Sequence, residues 1–481
     1  MKNQAYNPYL PSFEYIPDGE PYVFEGRVYL YGSHDQFNGQ KFCANDYVCW
    51  SASVDDLGSW KYEGVVYQKQ QDPLNLDGKR CLYAPDLQRG LDGRYYLYYA
   101  LDLAGIMSVA VCDTPAGKFS FYGHVQYPDG SPVGQRGGDI FQFDPGVLVD
   151  DDGRVFLYSG FAPQETLPLN LLMQGRKYEG GYFMELAADM LTVIDGPKLL
   201  FPKVGHAAGT GFEGHEFFEA SSIRKVGKRY YFIYSSIHGH ELCYATSDRP
   251  DGEFHYGGTI ISNGDIFMNG RCAKDQLNYT GNNHGSIVEI GGQWYVFYHR
   301  QTNKHQFSRQ ACAEPITINP NGSIRQVEMT SCGLNGGPLK GKGEYEARIA
   351  CNLVSARGAV RYSDIRRQPL RGHLCFTQTG GDREEHGDQY IAEMSAGAVA
   401  GFKYFELQGL TRISVRVRGT GKGSLLVQTA LGQPPITVIP VGPSKRFTQF
   451  SAPAQAPDGH AALYFQYQGT GQIDFLSFEI G

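Results

Sequence analysis

A short alternation of apolar and polar positions, opened each time by a glycine turn, recurs along the chain. It reads EGRVYLYGS from Glu25, DGRYYLYYA from Asp92, DGRVFLYSG from Asp152, GKRYYFIYSS from Gly227 and GGQWYVFYHR from Gly291. A glycine turn followed by a brief aromatic and β-branched run predicts two strands of a hairpin, because glycine supplies the turn dihedrals and such side chains fit a pleated surface. Aligned on Tyr29, Tyr96, Phe156, Tyr230 and Tyr295, the copies stand 60 to 74 residues apart. A second phrase follows three of them: YVCWSASVDDLGSW, VAVCDTPAGKFS and CYATSDRPDGEF, each a strand, a polar turn and an aromatic. No long segment carries helical apolar periodicity. Five ordered units of several short strands predict an all-β fold, with a five-bladed β-propeller over residues 1–330. An irregular β-sandwich would match the composition but not the five ordered copies.

Beyond the last copy the pattern changes. Residues 331–344, within SCGLNGGPLKGKGEY, are glycine-rich and read as a linker. The alternating runs TRISVRVRG, GSLLVQTA, ITVIPVG, AALYFQYQG and IDFLSFEIG then predict a β-sandwich over residues 345–481.

Composition narrows the function. The 481 residues carry a formal net charge of −7, with no Lys/Arg-rich run, which argues against nucleic acid as a partner. No apolar run approaches the ~20 residues of a membrane span, and the N-terminal stretch has no apolar core of a secretory signal. Ten cysteines without a CxxC pair, several inside strand-like runs, predict free buried thiols and a cytoplasmic location. The 33 Tyr and 28 Phe suit strands first, and sugar-handling surfaces second.

Chemistry enters eleven or so positions before each aligned aromatic. There stand Asp18, Asp86, Asp144, Glu219 and His284, each at the start of the strand that precedes the glycine turn. The first strand of a propeller blade lines the central channel, so equivalent starts converge on one mouth. Any one Asp there could simply cap a turn. Several acids around one axis repel one another, which raises some pKa values and provides the protonated and ionised carboxyls that a hydrolase uses.

The phrases NPYLPSFEYIPDGEPYVFEGRVYLYGSHD, YAPD, FDPGVLVDDDG, EASSIRKVGKRYYFIYSS and NNHGSIVEIGGQWYVFYHR, taken in order, resemble glycoside hydrolase family 43 across residues 5–330. The resemblance implies an inverting mechanism with Asp18 as general base, Asp144 as the residue that orients and tunes the acid, and Glu219 as general acid. It implies His284 as a protein ligand to a hydrated calcium ion in the channel, and Arg309 as a substrate contact. His34 and Asp35, in YGSHD, and Trp50 are further expected to border the pocket. Asp86 is expected to be structural. The C-terminal part, through YIAEMSAGAVAGFKYFELQG and TGQIDFLSFEIG, resembles family 6 carbohydrate-binding modules, which implies either glycan binding or a buttress. The implied activity is exo-acting release of xylose or arabinose from short xylo-oligosaccharides. The alternatives are an exo-glycosidase on galactan or arabinan, a non-catalytic glycan-binding propeller, and a metal-dependent propeller hydrolase such as a lactonase.

Overall fold

The structure, a computed structural model, describes residues 3–164, 166, 168, 169, 173–362 and 372–481. Between Glu20 and Ile316 the chain forms five successive antiparallel sheets. Strands follow chain order in every sheet, four in each of the first four and three in the fifth. Each recurring glycine turn joins the first strand of a sheet to its second, closing the pairs Phe24↔Arg27, Arg89↔Tyr95, Val149↔Val155, Val226↔Arg229 and Ile290↔Gln293. Gly26 and Gly153 turn with φ of 77° and 84°, which explains why these positions are glycine.

The five sheets are held side by side by apolar clusters, each shared by two neighbours. Tyr31 and Cys49 of the first sheet meet Leu97 and Tyr99 of the second, and Tyr98 and Val109 of the second meet Leu157 and Tyr182 of the third. Phe156 and Phe183 meet Phe217 and Phe232 of the fourth, whose Ile233 and Tyr244 meet Val296 and Tyr298 of the fifth. Phe297 and Ala311 of the fifth then return to Val28 and Trp50 of the first. The edge of the three-stranded fifth sheet is covered by the N-terminal segment. Tyr9 N–H donates to the Ala311 carbonyl at 3.3 Å, and the Asn7 side chain exchanges hydrogen bonds of 2.8 and 2.9 Å with the backbone of Ala313. An unpaired strand edge is thereby removed.

From Leu339 to Ile480 the strands form two six-stranded sheets around one apolar cluster, in which Phe402, Phe405 and Phe465 of one sheet pack with Phe475 and Phe478 of the other. Residues 331–344 are not a free linker. Leu339–Gly341 pairs in parallel with Phe405–Leu407, Gly343–Glu346 pairs with Ser477–Ile480, and Ser331 N–H donates to the Lys403 carbonyl at 2.6 Å. The glycines there serve close backbone approaches; a Cβ on Gly341 would stand 2.0 Å from the Glu406 carbonyl oxygen. The two regions interlock. Arg300 lies 3.7 Å over the Phe376 ring, Tyr15 O–H donates to Gln378 at 2.6 Å, and buried Lys403 pairs with Asp265 at 3.1 Å. All ten cysteines are free, and eight are buried.

Candidate active site

Asp18, Asp144, Glu219 and His284 line one cavity of about 320 Å³, together with Arg309. Local backbone geometry aims the acids. Asp18 and Asp144 precede the first strands of their sheets with φ of 57° and 45°, a region that non-glycine residues enter at a cost of order 1 kcal/mol. Glu219 sits in a β-bulge of its strand, with Ala220 at φ 70°. Asp86, the fifth member of the set, is not a cavity residue. It is fully buried among the first strands, where its carboxylate accepts Tyr22 O–H at 2.5 Å, Leu87 N–H at 2.8 Å and Val147 N–H at 2.7 Å, tying three sheets together. Beside it a buried Arg224 pairs with Glu20 and covers the Tyr22 ring at 4.4 Å.

The carboxyls differ in their surroundings. Burial opposes ionisation of Asp18 most strongly, but the Arg309 guanidinium, donating to its Oδ1 at 2.9 Å, together with His284, His299 and Ser33 holds the carboxyl below the usual range. Arg309 is itself clamped: Nε and Nη2 donate to the Asp35 carboxylate at 2.8 and 3.0 Å, and the guanidinium stands 4.8 Å from the Phe42 ring centre. His299 accepts the Asp18 backbone N–H on Nδ1 at 3.3 Å, so its proton sits on Nε2, 2.9 Å from the Asn282 carbonyl. Burial, aided by the Arg309 charge, lowers the His299 pKa to about 3, which keeps the ring neutral. Glu219 is different. Burial and then the Asp18 charge push it up to about 7, against the pull of Arg309 and Arg361. Asp144 is pushed up by burial, by Glu219 and by Asp18, offset in part by the Ala220 N–H that it accepts at 2.9 Å. Near neutral pH the Glu219–Asp144 pair therefore retains a proton while Asp18 is ionised.

His284 stands between the acids, with Nδ1 3.6 Å from Asp144 Oδ2 and 4.0 Å from Asp18 Oδ1. Burial outweighs the Asp18 charge and lowers its pKa to about 4, so the imidazole is neutral. Its Nε2 is buried without a hydrogen-bond partner, an arrangement that costs free energy unless something binds there.

One wall of the cavity is aromatic. Tyr83, Phe143, Phe161 and Phe218 follow one another with ring centres 5.3, 5.1 and 5.7 Å apart. Aromatic faces lining one cavity with a set of acids suit a sugar ring, which has an apolar face and polar edges. Sequence reasoning missed this wall, although the aromatics flank the acidic motifs in FQFDPG and EFFEA. It also missed Arg361, which lines the cavity from beyond residue 330.

His34 and Trp50 lie elsewhere. His34 Nε2 and Trp50 Nε1 both bond the buried Glu14 carboxylate, at 2.9 and 2.8 Å, and neither lines the cavity. Asp35 reaches Arg309, while its neighbour His34 bonds the Glu14 carboxylate and the Asp46 carbonyl. Trp50 belongs to the third strand of the first sheet and fills the cluster shared with the fifth. Outside the cavity, His215, His238 and Glu241 bring one potential metal-ligating atom each to within 4.8 Å of one another, with the Glu241 carboxylate already bonded to His215, Ser236 and Thr259.

The family model for glycosyl hydrolases family 43 matches residues 7–324. The chain belongs to that family. Among the family 43 relatives, a protein of Thermoclostridium stercorarium described as a xylosidase/arabinosidase is 53% identical over 100% of this chain and 99% of its own length. A solved β-xylosidase structure, RS223, is 26% identical with a TM-score of 0.51, covering 68% of this chain and 99% of that one. A family 43 arabinoxylan arabinofuranohydrolase from Bacillus subtilis, 20% identical with a TM-score of 0.50, shares the fold across 97% of this chain and 96% of its own.

Proposed function

We propose that this glycoside hydrolase is an exo-acting, inverting β-xylosidase and α-L-arabinofuranosidase of short xylo-oligosaccharides. The observation that carries the reading is the split protonation within one aromatic-walled cavity: Asp18 is ionised under Arg309, and the Glu219–Asp144 pair keeps a proton to about pH 7. The full-length similarity to a xylosidase/arabinosidase supports the choice of sugars. In this reading Asp18 takes a proton from a water that attacks the anomeric carbon. Glu219 gives its proton to the departing glycosidic oxygen, and Asp144 keeps that proton on Glu219 until then. Such a displacement by water inverts the anomeric centre and needs base and acid on opposite faces of the sugar, about 6.5–9.5 Å apart. Arg309, fixed by Asp35, keeps the base ionised.

In the same reading the five sheets are the blades of a β-propeller, whose axis is the acid-lined cavity. The circle of shared apolar clusters supports this, and the two six-stranded sheets form a β-sandwich of the carbohydrate-binding-module type. A calcium ion suits the axis. The neutral His284, with its unpartnered Nε2, would be its protein ligand among waters, and the ion would supply positive charge beneath the acids. The test is hydrolysis of 4-nitrophenyl β-D-xyloside and α-L-arabinofuranoside, with proton NMR of xylotriose cleavage. Release of xylose from one end with inverted configuration is expected. Hydrolysis of neither glycoside by folded protein would overturn the sugar assignment, and a retained configuration would overturn the roles of the acids.

A further inference from the structure

Arg361 enters the cavity from the chain that follows the five sheets, beyond residue 330. Its backbone is pinned beside the cavity residue Asn282. Thr280 N–H donates to the Val360 carbonyl at 3.4 Å and Tyr362 N–H donates back to the Thr280 carbonyl at 2.7 Å. The buried Tyr362 ring stacks on Tyr279 with centres 4.5 Å apart and planes at 20°. The guanidinium has its own seat in the fourth sheet's loop. Nη1 donates to the His238 carbonyl at 3.3 Å, and Gly239, at φ 76°, leaves room where a Cβ would stand 3.0 Å from Nη2. This is a built position, shared by two regions of the fold.

Its place within the cavity is specific. Arg361 is exposed, whereas Asp18, Asp144 and His284 are buried, so it stands toward the mouth. Glu219 is half-buried between the two levels. An arginine next to a general acid draws that acid toward ionisation, the reverse of what proton donation needs, so its presence calls for a gain in binding. A guanidinium offers five N–H donors in a fixed fork and no acceptor, which matches neighbouring sugar hydroxyls and has nothing to bond on an apolar aglycone.

We propose that Arg361 is the leaving-group subsite residue of this enzyme, donating to the hydroxyls of the sugar that departs and holding its glycosidic oxygen toward Glu219. The substrate class is therefore an oligosaccharide, not a glycoside of a small apolar alcohol, and the C-terminal region is a working part of the active site. The identity of that sugar as xylose rests on the function proposed above.

The experiment compares wild type, Arg361→Met and Arg361→Lys on xylobiose and on 4-nitrophenyl β-D-xyloside, with an NMR titration of the Glu219 carboxyl in each. Asp18, Asp144, His284 and Arg309 face Glu219 equally in all three. Arg361→Met is expected to lose about tenfold or more in kcat/KM on xylobiose and about threefold or less on the aryl glycoside. Its Glu219 is expected to titrate at higher pH. Arg361→Lys should restore the titration and only part of the xylobiose activity, because the fork is lost. Equal losses on both substrates, or an unchanged Glu219 titration, overturn the proposal. If wild type cleaves neither glycoside, the choice of xylose falls, and the Glu219 titration still decides the placement of Arg361.

Discussion

Between Asp18 and Ile316, the apolar side chains are divided among five main clusters, and Asp18, Glu20, Asp86, Asp144, Arg224, His284 and Arg309 are buried as well. Between Leu339 and Ile480, a single apolar cluster runs through both sheets, and charged strand residues such as Arg416 and Glu479 are exposed, Lys403, buried against Asp265, being an exception. Both regions are built from the same alternating strands, so strand pattern does not separate them. Arrangement does. Sheets set side by side place their apolar faces against neighbours, and in the proposed propeller their first strands stand around a common axis. Two stacked sheets have no such axis. The first arrangement can hold charge at its centre, provided each charge has a partner or a task; the second supplies stability and, through Arg361 and Arg383, reaches over to the first.

The sharpest break of this contrast is Glu219→Gln. It is expected to lower kcat/KM by about 10³-fold or more while leaving the fold intact and without lowering the melting temperature, as read by hydrolysis and circular dichroism. Phe402→Ala should do the opposite, costing about 3–5 kcal/mol in denaturant unfolding with an unchanged pH–rate profile in the folded enzyme. Arg309→Met joins the two effects. It leaves Asp18 and Asp35 uncompensated, with an expected loss of about 3–5 kcal/mol and of most activity. Asp18 has a depressed folded pKa, so its contribution is present above its unfolded value of 3.8 and vanishes as pH falls through the folded one. The Arg309→Met deficit should therefore shrink in acid, and the Phe402→Ala deficit should not. A smaller effect is the pH profile itself, with an alkaline limb near 7 from Glu219 and an acid limb below 3.8 from Asp18. Since the Glu219 pKa is raised on folding, its stabilising contribution falls as pH rises from 4.5 through about 7, and Glu219→Gln should flatten that part of the stability curve. The smallest is Asp382→Ala, which removes the acceptors of Phe37 N–H at 2.6 Å and Asn45 at 3.1 Å. It should cost about 1 kcal/mol and a few-fold in activity by loosening the segment that carries Asp35 and Phe42.

The repeats, the three cavity-lining acids and His284 were legible because they are local. A glycine turn, an aromatic run and an acid at a fixed offset are all read within one stretch of chain. What escaped depends on pairing between distant stretches. The clamp of Asp35 on Arg309 joins the first sheet's loop to the fifth sheet, and nothing near Asp35 announces an arginine. The aromatic wall is assembled from three sheets. Residues 331–344 read as a linker because their glycines look like flexibility, whereas they are close approaches to a sheet written later in the chain. Adjacency misled in one case: His34 neighbours Asp35 in sequence but belongs with Glu14, Trp50 and Arg383.

The covering of the fifth sheet's edge by Asn7 and Tyr9 sets an order on biogenesis. The partners of those residues, Ala311 and Ala313, are made roughly 300 residues later. On a ribosome adding about 5–20 residues per second, the N-terminal segment waits on the order of a quarter-minute to a minute before its place exists. The earlier sheets can form as they emerge, but the apolar cluster shared by the first and fifth sheets is completed only late, and until then each of the two presents an unmatched face. Chaperone dependence and degradation during synthesis should concentrate in that interval.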